Sequence, residues 1–297
     1  MAAALSNDRL LAALKAEGCK VVERAGWRTR RRPASTGGFG PINGVMIHHT
    51  VTSGAAINSV TLCERGHASL PGPLCQGVIA KDGTVYLISN GRANHAGGGD
   101  PAVLSKVQNE SYNRDTLLRP TKGNANGTGG NDNFYGFECI NLGNGRDPWP
   151  EKQRDAIVRA SAAILRAYGG PADGWTAKSV IGHKEWSNDK IDPRGGAGAD
   201  VSPPTLRRLI DERLKHAAAW NPGGSSNSEE LDMDAKEVNA AVWNQDSMPA
   251  PPSASTYKSN PTWKASSYFK ETYERIHELT DMVAALTKKV DELSKRV

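Results

Sequence analysis

The stretch Gly182-His183-Lys184-Glu185-Trp186-Ser187-Asn188-Asp189-Lys190-Ile191-Asp192-Pro193 constrains this chain more than any other. It sets an imidazole, an ammonium and a carboxylate within ten residues, between a glycine and a proline. Ligand pairs on one helix face sit at i, i+4, but His183 and Asp192 are nine apart. A loop that leaves and returns can bring them together, and Pro193 stiffens its exit. Two side chains are too few for a catalytic zinc, which takes three protein ligands and keeps a fourth position for water.

A third candidate lies upstream, in Gly44-Val45-Met46-Ile47-His48-His49-Thr50. This run reads as a buried strand emerging into a site. Strand side chains alternate between faces, so only one of His48 and His49 points at a given metal. Taken alone, each reads equally well as a hydrogen-bonded interior histidine. Beside His183 and Asp192, the metal-ligand reading is the stronger.

Four motifs now stand in order: Ile47-His48-His49-Thr50, Asn94-His95-Ala96-Gly97, Gly136-Phe137-Glu138, and Gly182-His183 with Lys190-Ile191-Asp192-Pro193. Together they resemble the zinc-dependent N-acetylmuramoyl-L-alanine amidases. That family includes phage endolysins, bacterial muramyl-amide hydrolases and animal peptidoglycan recognition proteins. The resemblance spans residues 7–218, and the four separated motifs make it specific. It implies a Zn2+ held by His48, His183 and Asp192, with His48 preferred to His49 because it occupies the family's ligand position. It implies Glu138 as the acid that moves protons and Lys190 as the group that stabilises the oxyanion. An acid inside an apolar strand is costly to bury without a task, which favours a catalytic Glu138. His95 and His49 are expected at the substrate. Some members carry a tyrosine where this chain has Cys75 or Gln76, so this chain leans on Glu138 instead. The implied substrate is peptidoglycan, cut between N-acetylmuramic acid and L-alanine.

Charge supports a polymeric partner. The chain carries +5 overall, while residues 221–297 hold 12 acidic and 9 basic side chains, a net of −3 that leaves +8 on the rest. A basic body suits an acidic polymer, either cell wall or nucleic acid. Nucleic acid is the weaker reading, because no aromatic platform interleaves with the arginines. The densest basic cluster, Arg28, Arg30, Arg31 and Arg32, reads more simply as a solvated turn. The four cysteines, Cys19, Cys63, Cys75 and Cys139, lack paired C-x-x-C spacing, so a cysteine zinc site is disfavoured. They read as free buried thiols, with Cys63 and Cys75 able to form a local disulfide in an oxidising space. The N-terminus has no basic region and no long apolar core, so it is not a signal peptide, and no run is long enough to span a membrane. The expectation is a protein made in a host cytoplasm that acts on the wall after release, as a phage endolysin does. The alternatives are a cytosolic amidase that recycles muropeptides and a non-catalytic peptidoglycan-binding protein.

Strand and helix patterns interleave through residues 1–220, giving an α/β fold with a mixed sheet flanked by helices. Helices are expected over 7–17, from Pro150-Glu151 and from Ser202-Pro203, where Ser202 caps. A hairpin is expected around Lys81-Asp82-Gly83. Residues 52–75 read as irregular and 97–133 as one long loop. Residues 221–264 read as a Gly/Ser/Pro-rich linker with a short helix over 232–243 and an extended stretch over 247–261. Over 265–297, Phe269, Ile276, Val283, Val290 and Val297 recur every seven residues, with Leu279, Leu286 and Leu293 at the alternate positions. β-branched residues at a with leucine at d favour a parallel two-stranded coiled coil, hence a homodimer.

Overall fold

The strand expected at His48 runs Gly44–His49 and is buried at every position. A strand buried on both faces needs neighbours at its edges and layers above and below. The computed structural model describes residues 2–221, 248–251, 258 and 262–295, and the chain forms two units, Met1–Asn221 and Pro222–Val297. Among the described residues six strands make one sheet: β1 (Val21–Glu23), β2 (Gly44–His49), β3 (Gly77–Ile79), β4 (Val85–Leu87), β5 (Phe134–Cys139) and β6 (Val180–Gly182). Their order is β1-β4-β3-β5-β2-β6. The β3–β4 hairpin is antiparallel, whereas β3, β5, β2 and β6 run parallel. The mixed α/β architecture is the expected one.

Alternation along the strands sorts the core into two layers. Val45, Ile47, Tyr135 and Phe137 join the main cluster, packed with residues of α1 (Asn7–Ala16), and with Ile157 and Ile164 of a long helix at Glu151–Ala167 and Ile210 of the helix at Pro203–Leu214. Met46, Phe134 and Ile181 point the other way, into a smaller cluster with Val103, Val107 and Trp186. Val78 and Ile140 join Val60, Cys63 and Cys75 in a third. The remaining helices, in chain order, are α2 (Ala56–Arg65), α3 (Pro101–Gln108), α4 (Glu151–Ala167), α5 (His183–Trp186), α6 (Pro203–Leu214) and α7 (Ala265–Ser294).

Two helices lie where irregular chain was expected. α2 has no side-chain cap, buries only Ser59, Val60 and Cys63, and contains β-branched residues that weaken the helical signal. α3 interrupts the long loop. Its signal was local: Asp100 accepts from the Ala102 amide at 2.8 Å, and Pro101 takes the first position, a standard helix start. Ser202 makes no side-chain cap at α6. Asp200 instead accepts from the Ser202 amide and hydroxyl at 2.8 and 3.1 Å. The basic cluster is largely occupied in bracing: Arg28 pairs with Asp8 and Glu23, Arg30 donates to the carbonyls of Ile88 and Ala25, and Arg32 to that of Gly72. All four cysteines are free and buried.

In the second unit, Met248–Pro249 pairs with Thr262–Trp263, and Trp263 meets Tyr268 edge to face at 5.5 Å. The helix expected from residue 265 is α7, and Ile276, Leu279, Val283, Leu286, Val290 and Leu293 on it are all exposed. The linker and short helix expected between 222 and 247 fall outside the described residues, as do Val297 and most of the stretch expected to be extended.

One buried ion pair fixes how α5 meets α6. Arg207 grips Glu185 through two bonds of 2.8 and 3.1 Å, with both side chains fully buried. Its remaining donors reach the carbonyls of Arg114, Val180 and Thr116. Glu185 also accepts from the amides of Leu118 and Gly182 at 2.9 and 3.1 Å. Such a pair is tolerable in a core only when every donor and acceptor is satisfied, and losing one partner strands the other charge. Arg207→Met should therefore cost about 3–5 kcal/mol, read as a lower urea midpoint at unchanged slope. A loss of under about 1 kcal/mol, the range of exposed pairs, would show that water reaches Glu185 after all.

Candidate metal centre

Three parallel strands deliver the site from one edge of the sheet. Gly182 pairs with Ile47, so His183, the next residue, emerges beside His48. His48 pairs in turn with Glu138 on β5. The carboxyl ends of parallel strands are the usual place for a ligand crevice. Asp192 returns through the loop after α5: its carbonyl accepts from the Lys184 amide at 2.7 Å, and Lys184 Nζ donates to the Pro193 carbonyl at 2.7 Å. Gly182 permits this return, because a Cβ there would stand 2.8 Å from Pro193 Cδ.

His48 Nδ1 lies 3.0 Å from His183 Nδ1, and each of these nitrogens lies 3.1 Å from the same Asp192 oxygen. All three side chains are buried. Burial, then the neighbouring His183, pushes His48 down to about 4 despite the opposing carboxylate, so its ring is neutral at pH 7. Burial works against the charge on Asp192, but the two imidazoles beside it, His183 and His48, outweigh burial and hold the carboxyl well below its usual range. His183 Nε2 lies 3.2 Å from the Ala96 carbonyl, which can only accept. A neutral His183 therefore spends its one N–H there and turns a bare Nδ1 to the cluster. Two imidazole nitrogens and a carboxylate suit zinc, whose tetrahedral bonds of about 2.0–2.1 Å place ligand atoms about 3.3 Å apart. The observed separations fit that set.

Glu138 stands on the neighbouring strand with one buried carboxylate oxygen lacking any partner. Burial first, then Asp192, pushes it up to about 8, with Lys190 pulling the other way. Lys190 is exposed, and among the described residues no carboxylate is in ion-pair range of it. The structure therefore gathers His48, His183, Asp192, Glu138 and Lys190 at one strand edge. The two histidines expected at the substrate are both buried. His49 points to the opposite face, accepting from the Arg194 amide at 3.2 Å and pressing on Gly143, where a Cβ would approach its ring to 2.3 Å. His95 is 7% exposed and stands behind His48. Sequence reasoning passed over Glu185, Lys184 and Arg207. Glu185 and Lys184 sit inside the motif but resemble surface charges, and Arg207 lies on an amphipathic helix where arginine normally faces water.

Residues 38–195, which contain all of these site residues except Arg207, match the family described as N-acetylmuramoyl-L-alanine amidase. The chain belongs to that family. No curated protein matches it in sequence. Among solved structures, the chain is similar to the endolysin N-acetylmuramoyl-L-alanine amidase LysCS from Clostridium intestinale, at 17% identity and TM-score 0.36 over 60% of this chain and 89% of that one. It is also similar to AmpDh3 from Pseudomonas aeruginosa, solved with anhydromuramic pentapeptide, at 19% identity and TM-score 0.34 over 56% and 59%. A third is wild-type Drosophila PGRP-LB, at 17% identity and TM-score 0.38 over 70% and 99%. Membership of the amidase family rests on the match over residues 38–195.

Glu138 yields a pH signature. Its folded-state value, about 8, lies above the ordinary 4.5. Between those limits the folded protein holds a proton that the unfolded chain has released. Stability in chelator should therefore fall with rising pH across that window by about 1.4 kcal/mol per pH unit. Glu138→Gln should flatten this slope. Parallel stability curves for variant and parent would assign the proton elsewhere.

Proposed function

We propose that this amidase is a zinc-dependent hydrolase of the bond between the lactyl group of N-acetylmuramic acid and L-alanine in peptidoglycan. One observation carries the reading: the His48–His183–Asp192 donor set stands one strand from Glu138, one of whose carboxylate oxygens is buried without a hydrogen-bond partner. A zinc held by those three side chains supplies Lewis acidity toward a carbonyl and toward water. Glu138, with a proton affinity near the working pH, takes a proton from the attacking water and returns it to the leaving nitrogen. Lys190, with no carboxylate in ion-pair range among the described residues, donates to the oxygen on which charge develops in the transition state. The cluster sits in a pocket of buried side chains, where such interactions are stronger than in bulk water. A purely binding protein has no use for the complete ligand set, which speaks against the non-catalytic alternative. Charge of +8 outside the tail suits an anionic wall, and the reading extends to a phage lysis enzyme that meets the wall after release from its host.

Mass spectrometry of digested wall tests the reaction: free stem peptides beginning with L-alanine are expected. Glu138→Ala and Lys190→Ala should keep their zinc while turnover falls about 10²–10⁴-fold for the acid and about 10²–10³-fold for the lysine. Cleaved glycosidic or peptide–peptide bonds in place of the lactyl amide would sink this assignment.

The tail is read as a homodimerisation helix. On α7, Thr280 and Thr287 turn their hydroxyls onto the carbonyls of Ile276 and Val283, and the apolar stripe itself is exposed. A lone helix draws little stability from propensity, so the stripe needs a cover, and its a/d pattern fits a second parallel copy. Light scattering should give twice the chain mass for the full protein and a monomer after removal of 265–297. A monomeric full-length chain at micromolar concentration rules the dimer out.

A further inference from the structure

Three ring-nitrogen contacts run in line from the backbone of β5 to the cluster. The Phe134 carbonyl lies 3.2 Å from His95 Nε2. His95 Nδ1 lies 3.0 Å from His48 Nε2. His48 Nδ1 then faces His183 and Asp192. A carbonyl oxygen only accepts, so His95 carries its proton on Nε2. A neutral imidazole has one N–H, which leaves His95 Nδ1 as an acceptor. His48 must then donate from Nε2, and its own single proton is spent there. Its Nδ1 is left as a bare lone pair.

We propose that His95 is a positioning residue, which fixes the tautomer and ring angle of His48 so that Nδ1 is free for the metal. This rests on the zinc reading of the cluster. The competing state is concrete: with its proton on Nδ1, His48 would donate to Asp192 and close the site with a hydrogen bond. His95 opposes that state by offering an acceptor on the far side of the ring. Its seat is built for the purpose. The amides of His95 and Ala96 both donate to Asn131 Oδ1 at 2.8 Å. The ring lies against Gly136, where a Cβ would come within 2.6 Å of it. It meets His48 at an interplanar angle of 84°, edge to face. Partners on metal-bound histidines of this kind change metal affinity about 10–100-fold.

Asparagine and glutamine separate the two ring nitrogens. In His95→Asn the amide oxygen replaces the Nδ1 acceptor. In His95→Gln the amide nitrogen replaces the Nε2 donor and the acceptor is lost. Zinc affinity, measured by competition with a chromophoric chelator, should stay near the parent value in H95N and fall about 10–100-fold in H95Q. In the zinc-loaded parent, imidazole ¹⁵N shifts should show His48 protonated at Nε2 and metal-shifted at Nδ1, a measurement that needs no variant. Equal affinity of H95Q and parent, equal losses in both variants, or zinc on His48 Nε2 each overturns the assignment. A parent that takes up no zinc removes the metal reading and this inference together, and the unsubstituted protein alone reveals it.

Discussion

The bidentate contact between Arg207 and Glu185 is the constraint on which the candidate metal centre depends. It lies wholly out of water, and its other hydrogen bonds go to backbone carbonyls and amides of two segments, residues 114–118 and strand β6. Through Arg207, helix α6 holds the carbonyls of Arg114, Thr116 and Val180. Through Glu185, the same knot holds the amides of Leu118 and Gly182. The first turn of α5 therefore has one position available to it, and His183 opens that turn. A pair like this adds little net stability over a well-packed apolar substitute. Its contribution is a unique arrangement of loops that otherwise have few apolar side chains to order them.

Around that knot the sheet and the histidines divide the work. Parallel pairing sets His48, His183 and Glu138 side by side, and alternation sends His49 to the opposite layer. Solvent exclusion then makes each group cheap to hold in one protonation state: His48 is neutral, Asp192 is charged, and Glu138 keeps its proton to a higher pH than a surface acid. The separation of two nearby carboxyls into a strongly acidic one and a weakly acidic one is the pattern expected when one serves a cation and the other moves protons. Lys190 completes the contrast as the exposed cation of the group.

Much of this was legible in the sequence, for identifiable reasons. Strands β2, β5 and β6 announce themselves as short apolar runs ending in chemically unusual residues, and the nine-residue gap from His183 to Asp192 implies a returning loop. Helix α4 carries a long, regular stripe. What stayed hidden depends on tertiary partners. Helix α2 is too weakly apolar to read alone, and α3 is one local signal inside a stretch dense in glycine and asparagine. Sequence could not separate an arginine that faces water from Arg207, because both sit at helical spacing among other charges. It also could not show how His95 and His49 are held, because which side of each ring is occupied depends on tertiary partners. For His49, strand alternation was the available signal.

The pairing of His48 with Glu138 across adjacent strands has a consequence for how this fold can fail. In a pleated strand, a slip of one residue exchanges the two faces. Were β5 to slip by one, Phe137 or Cys139 would stand opposite His48 and the carboxyl would enter the apolar layer beneath. Hydrophobic burial along β5 and the chemistry at its end are therefore read from the same frame. Whatever selects for activity in this family selects at the same time for correct strand registration, and a misaligned molecule is at once inert and poorly packed, open to removal by a protease.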